Sequence, residues 1–401
     1  MKGYEILWER DYKKGYANCR VAVDSKDNIL VCGIDKDYKG MVIKYDKDGN
    51  LIWVDHTLPQ IYKKKILDIS YSKLKIGKLE ENFGGFLDIC IDKNDNIVVV
   101  GSFYEGREKC IVYIKKYDSN GNKIWGRKFS LFDYNQSTGV KCDVNGNVLI
   151  VGYGGNTRPP ILRGFIAKFS SSDGKILWWK KLGKIGKIFT GYTSLIISQN
   201  NIYTAGITAG LRDYNLILTK FKDRWKIKDK IIDRRVLPGK ILMGREGNLI
   251  VVGQIENSEF KHFVSTFNQE FDILWESKEM VGGLYDGCLF KNDIAVTGKI
   301  DQNEYYAGIY NNKGEKLLDF YLGKLVSNGQ DINDWMKGIA VDSMSNIIVV
   351  GGAPIAKTIK VKVIEKIRMK RMKEEREREE KEKEKGFMDI LIELFRRLFR
   401  K

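Results

Sequence analysis

The chain has 401 residues, of which 43% are hydrophobic, 30% are charged and two are histidine, and its formal net charge is +17. This composition supports a large buried core and permits acidic partners such as nucleic acid or anionic lipid. No apolar run reaches the roughly 18 residues of a membrane-spanning helix, and the opening residues MKGYEILWERDY carry charges where a signal peptide is apolar, so we expect a cytoplasmic protein with no transmembrane segment.

Residues 4–10 are predicted to form a strand. A different sequence pattern then recurs along the rest of the chain. In that pattern an Asn precedes an apolar run that ends on Gly, which indicates a strand buried on both faces. The copies are NILVCG at 28–33, NIVVVG at 96–101, NVLIVG at 147–152, NIYTAG at 201–206, NLIVVG at 248–253, NDIAVTG at 292–298 and NIIVVG at 346–351. A period of about 50 residues with several strands in each copy is typical of a β-propeller.

Each copy is predicted to contain four strands, which we name a to d from the centre of the ring to its rim. In the first copy they span residues 19–23, 29–33, 41–45 and 51–55. The turn between c and d is a hairpin signal, as in DKDGN at 46–50, because Gly adopts positive φ and Asp and Asn bond their own backbone. Strand d carries an aromatic residue that we expect to pack between neighbouring copies. These residues are Trp53, Trp125, Trp178 and Trp275, with weaker matches at Trp225 and Phe320.

The seventh copy has segments for strands a, b and c at 338–341, 347–351 and 358–363, but no Gly turn and no strand d. Residues 4–10 match a d strand, and Trp8 stands where Trp53 stands in the first copy. Pairing of the two ends would leave no exposed sheet edge. We therefore predict an all-β fold over residues 1–364, a seven-bladed β-propeller closed by its N-terminal strand.

The b–c and d–a loops vary in length and are expected to share one face of the propeller, which makes that face the default site of function. The b–c loops of the second to fourth copies carry two tyrosines and four arginines that could bind an anionic ligand. These candidates are Tyr104, Arg107, Tyr153, Arg158, Arg163 and Arg212. The same residues are also compatible with unrelated, solvated loop charges.

Two further segments follow the repeats. Residues 365–385 are almost wholly charged and have Glu and Lys or Arg four residues apart, which favours a solvated helical spacer over a disordered tether. Residues 386–401 form a predicted amphipathic helix whose apolar face must contact a membrane surface, a partner, a second copy or the propeller. The residues of that face are Phe387, Leu391, Leu394, Phe395 and Leu398.

Signatures of chemistry are scarce in this sequence. His56 and His262 lie in different copies, and no phosphate-binding or dinucleotide-binding loop occurs. The c–d turns lack the glutamate that completes a calcium loop, and the six cysteines form no C-x-x-C pair, which favours buried free thiols. We predict no catalytic residue, metal site or cofactor, and the abundance of Lys and Glu predicts a thermophilic source.

The repeats resemble the bacterial and archaeal β-propeller repeats of the SBBP and PQQ-like type. The resemblance lies in Asp-x-x-x-Asn-Ile-x-Val-x-Gly, as at 92–101, and in Lys-Tyr-Asp-x-x-Gly-Asn-x-x-Trp, as at 116–125. It covers about residues 1–365 and implies a WD40-like propeller fold. Some members of the wider group are quinoprotein dehydrogenases, which are typically eight-bladed, secreted and calcium-dependent, whereas this chain has seven copies.

Three functions follow from these patterns. The main hypothesis is a non-enzymatic scaffold propeller that binds proteins and is tethered through residues 386–401 to an anionic membrane surface or a larger assembly. The alternative is an enzyme or small anionic-ligand binder that uses the variable-loop face. A further alternative is nucleic-acid binding through the net positive charge, which predicts steep salt dependence.

Overall fold

The computed structural model describes residues 3–57, 84–105, 109–156, 161–183, 188–210, 214–256, 260–277, 281–300, 304–324, 336–352, 356–364 and residue 373. The strands in this part of the chain are β1 (Tyr4–Tyr12), β2 (Gly15–Val23), β3 (Ile29–Asp35), β4 (Gly40–Tyr45), β5 (Leu51–Thr57), β6 (Gly84–Ile91), β7 (Ile97–Glu105), β8 (Lys109–Tyr117), β9 (Lys123–Phe129), β10 (Tyr134–Cys142), β11 (Val148–Gly155), β12 (Leu162–Phe169), β13 (Ile176–Leu182), β14 (Phe189–Ser198), β15 (Asn201–Ala209), β16 (Tyr214–Lys222), β17 (Trp225–Ile232), β18 (Val236–Met243), β19 (Leu249–Glu256), β20 (Phe260–Phe267), β21 (Ile273–Glu276), β22 (Gly283–Phe290), β23 (Asp293–Ile300), β24 (Glu304–Tyr310), β25 (Lys316–Lys324), β26 (Met336–Val341), β27 (Asn346–Gly351) and β28 (Ala356–Val363). The predicted helices at 365–385 and 386–401 lie outside these residues, apart from residue 373.

The described residues are all-β, and their arrangement is propeller-like. Consecutive strands pair antiparallel in groups of four, in the orders β2-β3-β4-β5, β18-β19-β20-β21 and β22-β23-β24-β25. The groups β6 to β9, β10 to β13 and β14 to β17 are joined into one larger sheet by parallel bridges at Cys110–Tyr134 and Leu162–Phe189. The remaining group has the order β1-β28-β27-β26, and β1 places Trp8 opposite Lys360.

The core lies between these four-stranded groups. Every b strand is apolar on both faces, as the runs at Ile97–Val100 and Leu249–Val252 illustrate. Seven clusters of buried apolar side chains occur among the described residues, and each combines side chains from two neighbouring groups. One of them joins Val31 and Ile43 of the first group to Ile348 and Val350 of the last. Burial of the b strands therefore depends on the sheets on either side.

A β-bulge at the same place in each innermost strand explains the repeated glycine of strand b. In β6 the pairing with β7 skips Leu87, the residue after Phe86, which lies opposite Gly101. The residues skipped in the seven innermost strands are Cys19, Leu87, Thr138, Thr193, Gly239, Tyr285 and Lys337. A Cβ on Gly101 would lie 1.9 Å from the Gly85 carbonyl oxygen, so the two backbones approach too closely for any side chain.

The turns have the predicted hydrogen-bond chemistry. In the second group, Asp92 Oδ1 accepts from the backbone N–H groups of Asn94 and Asn96, and Asp95 adopts a φ of 59°. In the c–d turn of the same group, Gly121 has a φ of 90°, as the hairpin pattern predicts. Both turns satisfy their own backbone groups locally, which is why their sequence recurs.

The tryptophans of strand d pack against the next group. A Cβ on Gly121 would lie 2.9 Å from the Trp53 ring, and Trp125 Nε1 donates to the Ser171 carbonyl at 3.0 Å in the following c–d turn. The two weaker matches do not occupy the tryptophan position. Strand register places Lys228 and Leu318 at the tryptophan position, opposite Lys220 and Ile309. Trp225 is 59% exposed, so its expected packing is wrong, whereas Phe320, opposite Ala307, is buried and packs between the sixth and seventh groups as expected.

The close approach at the bulge gives a test of the fold. We expect Gly101→Ala to lower the free energy of unfolding by more than about 4 kcal/mol, because its methyl group would overlap a backbone carbonyl. Gly244→Ala is the matched control, since a Cβ there has its nearest neighbour, Ile250 Cδ1, at 3.3 Å and the φ is not positive. Its effect should stay within about 1 kcal/mol. Urea unfolding followed by circular dichroism measures both, and equal effects of the two substitutions would contradict the account.

Candidate functional site

Aromatic side chains from three neighbouring groups form a continuous row at one face. Tyr104 and Tyr153 stand near the ends of the b strands β7 and β11, and Tyr134 and Phe189 begin the innermost strands β10 and β14. The ring centroids are 6.2 Å apart for Tyr104 and Tyr134, 6.4 Å for Tyr134 and Tyr153, and 5.3 Å for Tyr153 and Phe189. All four side chains are half-buried. We call these four residues the aromatic row.

Two hydroxyl groups of the row converge on Gln136. Its Oε1 atom accepts from the Tyr134 hydroxyl at 2.7 Å and from the Tyr153 hydroxyl at 2.6 Å. Burial, with a further contribution from Tyr104, raises the pKa of Tyr153 to about 12. Burial and the neighbouring Tyr153 likewise raise the pKa of Tyr134. Both hydroxyls therefore stay protonated at neutral pH, and their bonds to Gln136 hold the rings in fixed orientations.

The structure brings together only part of the predicted ligand site. Tyr104 and Tyr153 are joined through Tyr134, as members of one row. Arg163, on β12, lies opposite Gly154 in the strand register, one residue from Tyr153. Its side chain runs beside Gly183, where an added Cβ would meet Arg163 Cδ at 2.6 Å. The other three candidates, Arg107, Arg158 and Arg212, lie outside the described residues.

The sequence prediction missed Tyr134, Gln136 and Phe189. All three belong to innermost strands, near the end that enters from the variable-loop face. These residues could have been found from their positions in the repeat. In an antiparallel pair, the start of strand a and the end of strand b meet at the same face. Tyr134 pairs with Gly155 and Gln136 with Tyr153 in the register of β10 and β11.

A buried charge cluster was also missed. Arg20, Asp88, Lys240 and Asp286 come from four different innermost strands, and each directly follows the bulge of its strand. Arg20 Nε lies 4.0 Å from Asp88 Oδ1 and 3.8 Å from Asp286 Oδ2. Lys240 Nζ lies 3.8 Å from Asp88 Oδ1 and 3.5 Å from Asp286 Oδ1. The signal in the sequence was a single charge inside an otherwise apolar strand.

The cluster connects sheets and is electrically balanced. Asp88 Oδ2 accepts from the Val140 N–H at 2.8 Å, and Asp286 Oδ2 accepts from the Ile339 N–H at 3.1 Å, both in the following group. Burial alone would lower the pKa of Lys240, but Asp286 and Asp88 outweigh it and raise that pKa. Lys240 therefore remains charged, and the pairing of two cationic with two acidic side chains fits a structural tie between four strands.

The histidines and cysteines are engaged in packing contacts. His56 Nδ1 lies 2.7 Å from Asp35 Oδ2, and His262 Nε2 lies 3.1 Å from the Lys299 carbonyl. Burial lowers the pKa of His262 to about 4. The six cysteines are free; four are buried, and Cys142 and Cys288 are half-buried. The described residues contain no group of three or more His, Cys, Asp or Glu placed to hold a metal. Nor does any helix among those residues have the length and apolarity that a membrane span requires.

Comparisons with known proteins add little to this site. No protein-family model and no curated protein matches the chain. Among solved structures, it is similar to a protein of unknown function from Bacteroides caccae, whose crystal structure was determined at 1.35 Å resolution. The two are 9% identical, the match covers 77% of this chain and 94% of that one, and the TM-score is 0.43. A likeness at that TM-score supports no conclusion about fold or function, so function is inferred from this chain's own residues.

Proposed function

We propose that the protein is a seven-bladed β-propeller of the SBBP and PQQ-like repeat type, with a ring closed by its N-terminal strand. Seven four-stranded groups in an open stack would have six interfaces, whereas seven apolar clusters lie between groups among the described residues. The innermost strands also contact one another in a circular order, β2-β6-β10-β14-β18-β22-β26 and back to β2. The pairing of β1 with β28 supports closure at the chain ends.

Removal of the N-terminal strand tests closure. We expect a chain lacking residues 1–12 to unfold about 10 °C or more below the full chain, because the edge of β28 and the surface under Trp8 become exposed. Adding a synthetic peptide of residues 1–12 should restore the midpoint. The same peptide with Trp8→Ser should restore less, since a Cβ on Gly49 would lie 2.9 Å from the Trp8 ring. An unchanged midpoint in the shortened chain would refute closure.

We propose further that this propeller is an interaction platform that binds a protein partner through the aromatic row. The observation that carries this proposal is three tyrosines whose rings form one half-exposed surface while Gln136 holds two of their hydroxyls. Tyrosine offers a large contact area with little side-chain entropy to lose, and aromatic residues are enriched at the centres of protein interfaces. A row held rigid before binding reduces the ordering cost of association.

Substitutions in the row test this platform. A partner captured by the full chain should bind Tyr153→Ala or Tyr134→Ala about 30-fold more weakly, as expected for residues at an interface centre. Tyr321→Ala is the matched control, because Tyr321 is 50% exposed on β25, far from the row in the strand order. Isothermal titration of the purified pair measures the affinities. Equal binding by all variants would overturn the proposal.

The alternative function is capture of a small anionic ligand by Arg163, which the strand register places opposite Gly154, the residue that follows Tyr153. The two functions predict loss of binding in different variants. Loss of binding in Arg163→Ala, with Tyr153→Ala unaffected, would support an anion site over a protein interface, because the charge and not the aromatic area would then provide the affinity.

We also propose that residues 386–401 tether the platform to an anionic membrane surface. The support is the sequence pattern, an apolar face of Phe387, Leu391, Leu394, Phe395 and Leu398 followed by Arg396, Arg397, Arg400 and Lys401. In flotation with phosphatidylserine vesicles, the full chain should rise with the lipid, and a chain ending at Gly386 should stay in the lower fraction. Equal partitioning of the two would reject the membrane tether and leave a protein assembly as its target.

A further inference from the structure

One type of ion pair recurs at the boundary between neighbouring groups. The aspartate that opens the a–b turn pairs with a lysine on strand c, as Asp92 pairs with Lys116, whose side chain is only 2% exposed. The four pairs and their Nζ–Oδ2 distances are Asp24–Lys44 at 2.8 Å, Asp92–Lys116 at 2.9 Å, Asp143–Lys168 at 2.9 Å and Asp342–Lys360 at 2.8 Å. An ammonium group is thus held by a carboxylate in each case, and three of the four lysine side chains, all but Lys168, are buried.

The ammonium groups also cross to the next group. Three of them donate to the second carbonyl of the following c–d turn. These contacts are Lys44 Nζ to Ser119 O at 2.9 Å, Lys116 Nζ to Ser171 O at 3.4 Å and Lys360 Nζ to Lys47 O at 2.9 Å. The tryptophan opposite the lysine covers the same turn, as Trp125 does. A carboxylate and a carbonyl together bind one ammonium group, and the indole packs on the same turn.

The group formed by β18 to β21 has the same a–b turn and the same strand register, but it lacks the ion pair. Its a–b turn is closed by Gly244 N to Asn248 O at 2.8 Å, as Asp92 N to Asn96 O closes the second at 2.9 Å. Thr266 lies opposite Trp275, as Lys116 lies opposite Trp125. Gly244 therefore stands at the aspartate position and Thr266 at the lysine position.

A cavity of about 400 Å³ occupies this place, within the range of about 300–1,000 Å³ that ligand sites span. Its lining includes Thr266, Trp275, Asp293 and Asn312, and Asn312 holds the turn position of Ser119 and Ser171. Thr266 is only 5% exposed, and its hydroxyl has no hydrogen-bond partner among the described residues. The wall thus combines a threonine hydroxyl without a partner, an indole and a carboxylate.

We propose that this cavity binds the ammonium group of a small aliphatic monoamine, in the position that a lysine side chain takes in four of the other groups. The Thr266 hydroxyl accepts one ammonium N–H, the Trp275 ring attracts the cation, and Asp293 provides the opposing charge. Arg245, Glu246 and Lys291 also line the cavity and are exposed. Because two cations stand among these three residues, a second ammonium group is repelled, which favours monoamines over polyamines.

The probe is n-butylamine, which has the same atoms as a lysine side chain, and 1-butanol is its neutral counterpart. Saturation-transfer NMR on the full chain should show saturable binding of n-butylamine with a dissociation constant on the order of 1 mM. Binding of 1-butanol should be at least about tenfold weaker, as expected when the ionic contact is lost. Absence of saturation by n-butylamine, or equal binding of the alcohol, would overturn the proposal.

A double variant that restores the aspartate–lysine ion pair in this group gives the decisive test. Gly244→Asp with Thr266→Lys should fill the cavity with the chain's own ammonium group, abolish n-butylamine binding and raise the thermal midpoint. The turn accepts a side chain, because a Cβ on Gly244 meets nothing closer than Ile250 Cδ1 at 3.3 Å. Thr266→Val keeps the shape and removes only the hydroxyl, so it should weaken binding several-fold with the midpoint unchanged. Undiminished amine binding by both variants would refute the site.

Discussion

Packing between neighbouring four-stranded groups is the interaction on which the rest of this structure depends. The b strands are apolar on both faces, so a single group in isolation would expose at least one of them. Each of the buried clusters combines two groups, and directional contacts across the same boundary fix how the groups align. The Lys116 ammonium reaches Ser171, and Trp125 covers the turn that contains Gly174. Apolar burial supplies the free energy, whereas these polar contacts select one orientation.

Repetition is why much of this fold could be predicted from the sequence. The Asp92 turn and the Gly101 contact are local, and the same residues recur wherever the same backbone recurs. Prediction failed where a group departs from the common turn. Trp225 follows a tight turn at Asp223, which shifts the register and places Lys228 at the tryptophan position. In the sixth group, the residue four positions after Gly314 is Leu318, which holds the tryptophan position. Spacing from the turn glycine was therefore a better guide to that position than the presence of an aromatic residue.

The candidate site was less predictable, because its members come from strands whose ends meet only in the folded chain. Tyr104 and Tyr153 could be found because they closely follow the repeated glycine of strand b, but Tyr134, Gln136 and Phe189 required the pairing of strands a and b. The charges of the buried cluster come from four innermost strands, and no local pattern relates Arg20 to Asp286. Each needs a bulge that turns its side chain towards the others, and a bulge is a property of two paired strands. Such contacts have no signature within one copy of the repeat.

Departures from a repeat are informative when the backbone at that place has not changed. Gly244 keeps the turn of Asp92, and an added Cβ would fit there, so loss of the ion pair in the fifth group is not a steric necessity. When one copy of a repeat lacks a stabilising contact that its backbone could still form, that position is expected to be functional. The cavity lies at the a–b and c–d turns, whereas the aromatic row lies where the innermost strands begin. Because these are opposite ends of the strands, a small amine in the cavity and a protein on the row would bind without steric conflict.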